Sequence, residues 1–156
     1  MRNYLFLLLL TMIIASCGNN KKDEKSETQA PDSVALQYFY GWEATLNDST
    51  GKLEMKKKEG AGPDSISVGA IISYLNRTNT HVQLELVKVS NDTVYVKIPD
   101  ATYLTQQMGS TGPVLYFSEV VYNLTELAGI KYVNLDFEEG DHASPATLNR
   151  DSFNDQ

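Results

Sequence analysis

A single cysteine, Cys17, divides this 156-residue chain into a part that cannot belong to a globular domain and a part that can. Ahead of it Arg2 supplies a positive start, and residues 4–14 are almost unbroken apolar sequence centred on Leu7, Leu8, Leu9 and Leu10. Ala15 and Ser16 are the small residues a signal protease accepts next to its cut. The run is too short for a comfortable membrane span and has the order of a secretory signal. Residues 1–16 are therefore expected to be removed. One cysteine also excludes any disulfide within the chain. Whatever folds must do so on a hydrophobic core alone.

Ile14-Ala15-Ser16-Cys17-Gly18 resembles the lipobox of bacterial lipoproteins. The resemblance implies that Cys17 is the lipidated first residue of the mature chain, with several acyl chains attached, palmitate among them. Each buried methylene contributes about 0.8 kcal/mol, so one acyl chain binds marginally and several hold durably. The protein is then expected in the cell envelope, on the outer membrane or a periplasmic face rather than in the cytoplasm.

Residues 17–33 read as the lipidated cysteine and a tether. After Gly18 they are Asn, Lys, Asp, Glu, Ser, Thr and Gln, with Ala30 and Pro31 but no large apolar residue, too polar to offset the entropy of ordering. Lys21-Lys22-Asp23-Glu24-Lys25 also loosely resembles the surface-export signals of Bacteroidetes lipoproteins, although a solvated linker is the simpler account. Losing Arg2 takes the formal charge from −7 to −8. That balance argues against nucleic acid as a partner and against electrostatic docking to anionic lipid heads. Lys56-Lys57-Lys58, followed at once by Glu59, reads as a charged strand end.

Residues 34–140 have globular composition and the size of one domain. Residues 34–40 are rich in aromatic and branched side chains and read as a strand, residues 52–58 as a second. Val68, Ile71, Ile72 and Leu75 recur at helical spacing after Pro63, with Asp64 or Ser65 as cap. Residues 81–89 and 93–98 alternate as a hairpin around Ser90-Asn91-Asp92. Ser110 or Thr111 can cap a second helix with Pro113 near its start, striped by Val114, Phe117, Val121 and Leu124. Gly129-Ile130 fits its C-terminal cap, and residues 131–137 make a last strand. Residues 141–156 read as an acidic tail. The expectation is an α+β fold ordered β-β-α-β-β-α-β: a two-layer sandwich with two helices on one face of a mostly antiparallel sheet of about five strands.

Val120-Val121-Tyr122-Asn123-Leu124-Thr125-Glu126-Leu127-Ala128-Gly129-Ile130, continuing to Glu139-Gly140, resembles the signature of the GerMN domain of sporulation and germination proteins and of envelope lipoproteins. Asn91-Asp92-Thr93-Val94-Tyr95-Val96 resembles that family's central hairpin, and Asp100 lies near its acidic position. The likeness covers most of residues 34–140 and is sharpest over 113–140. It implies a small α+β domain with protein or cell-wall interactions and no established catalytic residues.

Little in the sequence points to catalysis. No Gly-x-Ser-x-Gly elbow is present, and the one thiol is committed to lipid. His81 and His142 have no zinc-site spacing and read as a strand-edge and a loop residue. Asp136, Glu138, Glu139, Asp141 and His142 are acidic enough to hold Ca²⁺ but lack the loop pattern, so a solvated strand exit is the simpler account. Gly109 to Pro113 lacks the lysine of a phosphate loop and reads as a cap. Asp32-Ser33, Asp48-Ser49, Asp64-Ser65 and Asp92-Thr93 resemble a Bacteroidetes O-glycosylation motif and are also ordinary turn and cap pairs. Tyr38, Tyr40 and Trp42 share one strand parity and offer a candidate binding surface, although core packing is the simpler account. No catalytic residue, metal or cofactor is expected. Two functions remain: a non-catalytic GerMN-like module contacting an envelope protein or peptidoglycan, or a domain that binds or cleaves cell-wall glycan. For cleavage, Asp100 with Asp136 or Glu138 is the one carboxylate pair to consider.

Overall fold

Aromatic and branched residues alternate with polar ones on both sides of the turn at Asn91-Asp92, and that hairpin anchors the larger of two sheets. The computed structural model describes residues 41–156; the readings of Cys17, of the tether and of a strand at 34–40 lie outside them. The elements are β1 (Trp42–Leu46), β2 (Leu53–Lys57), helix α1 (Val68–Thr78), β3 (Glu85–Ser90), β4 (Thr93–Lys97), a π-helical turn (Tyr103–Gln107), helix α2 (Gly112–Leu124), β5 (Tyr132–Asp136), β6 (Ala146–Leu148) and a 3-10 turn (Arg150–Phe153). The fold is α+β.

The β3–β4 hairpin closes through Ser90 opposite Thr93, with Asn91 at φ 55°, the left-handed conformation that a two-residue hairpin turn needs. β4 and β5 are joined by a long connection containing α2. A crossover of that length lets strands run parallel, and Val94, Val96 and Lys97 pair in register with Val133, Leu135 and Asp136. β6 then pairs antiparallel with β5, giving the order β3-β4-β5-β6.

The strand count and layering differ from the expectation. β1 and β2 form their own two-stranded sheet instead of joining the larger one. They pack on α2, whose other side rests on β5. α2 therefore lies between two β layers, and its burial shows it: Tyr116, Phe117, Ser118, Val120, Val121, Asn123 and Leu124 are all inside. A helix buried nearly all round has no single apolar stripe, so the Val114-Phe117-Val121-Leu124 stripe marks only part of its buried surface.

Residues 141–156 are not a tail. β6 completes the sheet, and the 3-10 turn places Phe153 in the core at 8 % exposure. Asn149 caps that turn reciprocally with Ser152, and the Leu53 N–H donates to the Gln156 carbonyl. Ala143, Leu148 and Phe153 pack on the core, and Arg150 ties the segment to Tyr122, Thr125 and Glu126.

The helix limits also shift. Ser67 caps α1, accepting the Ala70 N–H at 3.2 Å, in place of Asp64 or Ser65. α2 ends at Leu124, before Gly129. Gly129 does hold φ 86°, but in the turn that leads Ile130 into β5.

Val94, Val96, Ile98, Val133, Leu135 and Phe137 face the helices and are buried. By strand alternation Tyr95, Lys97, Asn134 and Asp136 point to the opposite face, which no element covers among the described residues.

Candidate binding surfaces

Three regions carry the polar chemistry of the described domain. The first is the uncovered face of the larger sheet. Lys88, Tyr95, Asn134, Asp136, Pro145 and Thr147 line a shallow concavity of about 550 Å³ on it. Register explains their meeting: Lys88 lies opposite Tyr95, which lies beside Asn134, which lies opposite Thr147. The Lys88 ammonium sits 4.6 Å from the Tyr95 ring centre, and Asn134 Nδ2 donates to Thr147 Oγ1 at 2.8 Å. The Asn134 carbonyl and the Asp136 carboxylate have no side-chain partner within the described residues. This face offers an aromatic ring, an ammonium, a carboxylate and an amide to a polar ligand or partner chain.

The second region surrounds Trp42. Its indole N–H donates to Glu126 Oε1 at 2.9 Å. Lys57 Nζ and the Arg150 guanidinium lie 5.0 and 5.5 Å from the ring centre, and Tyr122 meets it edge-on at 5.3 Å. Arg150 also donates to Thr125 Oγ1, the Tyr122 carbonyl and Glu126 Oε1, at 2.8, 3.0 and 2.7 Å. Burial pushes the Glu126 carboxyl up, but donation from Arg150, Trp42 and Lys57 outweighs it, so Glu126 titrates below the ordinary glutamate range. The ring of Trp42 is thus engaged by its own chain and clamps β1 to α2 and the 3-10 turn. Tyr38 and Tyr40 lie outside the described residues.

Beside this clamp, Asn123 is fully buried and behaves as a missing strand. The Trp42 N–H donates to Asn123 Oδ1, and Asn123 Nδ2 donates back to the Trp42 carbonyl, both at 2.9 Å. Its second donor proton goes to the Glu119 carbonyl at 2.8 Å. One turn earlier Glu119 takes the Ala44 N–H at 3.1 Å and Asn79 Nδ2 at 3.3 Å. Burial raises the Glu119 carboxyl above its ordinary value against those donations. Burial also raises the Tyr116 phenol, whose oxygen has no hydrogen-bond partner among the described residues. Nearby, a Cβ on Gly41 would run into the Tyr74 ring, so the chain enters β1 through a gap only glycine fits.

The third region is a polar cavity of about 160 Å³ lined by Asp100, Thr102, Gln106, Glu138 and Glu139. It brings Asp100 and Glu138 together, whereas Asp136 belongs to the open face. Asp100 caps its own turn: its Oδ1 accepts the Thr102 N–H at 3.0 Å, and that hydrogen bond holds its carboxyl below the ordinary range. A glycosidase acid requires the opposite shift. Glu139 accepts from Ser144 Oγ at 2.8 Å. His81 stacks on Tyr103 at 4.5 Å, and the His142 N–H donates to the Thr105 carbonyl. Among the described residues no group of three or more His, Cys, Asp or Glu converges as a metal ion requires, and no helix is long and apolar enough to cross a membrane.

Trp42, Asp100 and Glu138 stand out in the sequence as site candidates, whereas Asn123 and Tyr95 appear there only within the family resemblance and Arg150 carries no local signal. Arg150 lay in the supposed tail. Tyr95 and Asn134 were visible as the outward members of alternating strands, without a signal that the face stays uncovered. No protein-family model, curated protein or solved structure matches this chain.

Proposed function

We propose that this chain is a lipid-anchored protein of the bacterial cell envelope, carrying a non-catalytic, GerMN-like interaction domain. The observation that carries the reading is the order of residues ahead of Cys17: a basic start, a short apolar run, two small residues, then the only thiol. The GerMN-like part stands on residues 113–140. The roughly two dozen residues from Cys17 to Gly41 can span at most about 80 Å. That reach lets the domain meet a partner well above the bilayer. Another envelope protein or peptidoglycan is the expected partner, met by the open sheet face.

Membrane fractionation with metabolic lipid labelling tests the reading. The chain enters the labelled membrane fraction, and Cys17→Ser moves it to the soluble fraction with label lost. Retention of label in the serine variant refutes the anchor.

A second reading, glycan binding on the same face, is favoured by Tyr95 beside Asn134 and Thr147, an aromatic ring flanked by amide and hydroxyl groups. It requires that the chain co-sediment with purified peptidoglycan and that Tyr95→Ala abolish this. Sugar release by the purified chain would overturn the non-catalytic reading.

A further inference from the structure

β3 is an edge of its sheet among the described residues, and its apolar side chains are left in solvent. Leu86 is 45 %, Val87 58 % and Val89 45 % exposed. An edge strand presents unpaired N–H and C=O groups to any other strand, and proteins normally blunt it with a charge or a bulge. β3 carries both, Lys88 and a bulge at Val87.

The bulge also sorts the side chains. Because Val87 is an extra residue, Leu86 and Val89 lie opposite Val96 and Val94, on the helix side of the sheet. Glu85, Lys88 and Ser90 lie opposite Lys97, Tyr95 and Thr93, on the open side. An incoming strand must therefore match an apolar pair spaced three residues apart and bring an acidic group to Lys88. A flat, regular strand, whose same-face residues recur every two positions, does not match that spacing. The same segment read in the opposite direction does both.

We propose that β3 recognises β3 of a second copy of this chain. The strands run antiparallel about a two-fold axis between Val87 and Lys88. Leu86 then faces Val89 of the second copy, twice, forming one apolar strip on the helix side. Glu85 faces Ser90 of the second copy and lies diagonal to its Lys88, twice, within the reach of long side chains. Within one copy the Lys88 ammonium is held over the Tyr95 ring on that same open side. The interface is isologous, and every contact occurs in duplicate. It is small beside standard protein–protein interfaces, so association falls in the micromolar-to-millimolar range. The inference depends on β3 alone and stands or falls independently of the lipid anchor.

Sedimentation equilibrium of the full chain in a mild detergent, over a concentration series, tests it. The wild type shows a concentration-dependent dimer. Glu85→Lys and Lys88→Glu each place like charges across the axis twice and weaken association by about tenfold or more. The charge-swapped double variant E85K/K88E regains it. Far-UV circular dichroism confirms that each variant is folded. Three results overturn the proposal: a wild type that stays monomeric to about 1 mM, single variants that associate as the wild type does, or a double variant no better than the singles.

Discussion

Replacing Asn123 with alanine removes the side chain that stands in for a neighbouring strand at the start of β1. Two backbone groups of Trp42 lose their partners, while the Glu119 carbonyl loses only an additional donor. Each partly buried backbone group left unsatisfied costs about 1–3 kcal/mol. Partial solvent access at Trp42 favours the lower half of that range, so Asn123→Ala is expected to lose about 2–4 kcal/mol. Asn123→Asp sharpens the test. It keeps the shape and the acceptor for the Trp42 N–H but aims a carboxylate oxygen at the Trp42 and Glu119 carbonyls. At neutral pH the aspartate variant should be at least as unstable as the alanine variant, and it should recover part of the loss once its carboxyl is protonated. Urea unfolding monitored by tryptophan fluorescence reads the site directly, because Trp42 is the only tryptophan in the chain. Circular dichroism on the same samples separates release of the β1–β2 hairpin from global unfolding. An Asn123→Ala variant within about 0.5 kcal/mol of wild type, or an aspartate variant as stable as wild type at pH 7, would refute the reasoning.

Glu119 has its carboxyl raised by burial, with Glu43 adding to the rise and Lys58 opposing it. A folded-state value above the unfolded one means that protonation favours the fold, so wild-type stability declines as pH rises from the ordinary glutamate value through the raised one. Glu119→Gln should remove that decline in denaturation midpoints measured across pH 4–8; an unchanged slope would count against the buried carboxylate. Arg150→Ala breaks three donations and is expected to cost about 2–4 kcal/mol and to shift Trp42 emission, whereas a change near zero would reduce the clamp to surface decoration. Tyr116→Phe deletes an unpartnered buried hydroxyl and should stabilise the fold against thermal unfolding by about 1 kcal/mol; a loss of stability of similar size would reveal a partner for that oxygen. Ending the chain at residue 144 removes β6 and Phe153 and should abolish cooperative unfolding, whereas a dispensable tail would leave the transition intact.

The parts of the fold that were legible in the sequence are those whose pattern has a period. The Val94-Val96-Ile98 and Val133-Leu135-Phe137 alternations, the Ile71-Ile72-Leu75 stripe and the Asn91-Asp92 turn all lie where their spacing placed them. What stayed hidden is decided by long-range partners. Nothing local to β1 and β2 says that their hairpin packs on α2 instead of extending the larger sheet. The short β6 has too few residues to show an alternation, and Phe153 lies among polar neighbours. Val82 and Leu84 are buried like strand residues, yet pairing begins only at Glu85. The chemistry followed the same rule. Trp42 is visible in the sequence as an aromatic on a strand, but its partners Glu126 and Arg150 are 84 and 108 residues away along the chain, so its role as a clamp could not be read locally.

The central claim is that this domain works at the end of a lipid anchor. Intact-mass and peptide mass spectrometry of the chain purified from membranes measures that most directly. The predicted result is a chain that begins at Cys17 and carries several acyl chains on that residue. A chain that keeps residues 1–16, or one that begins at Cys17 with a free thiol, would contradict it.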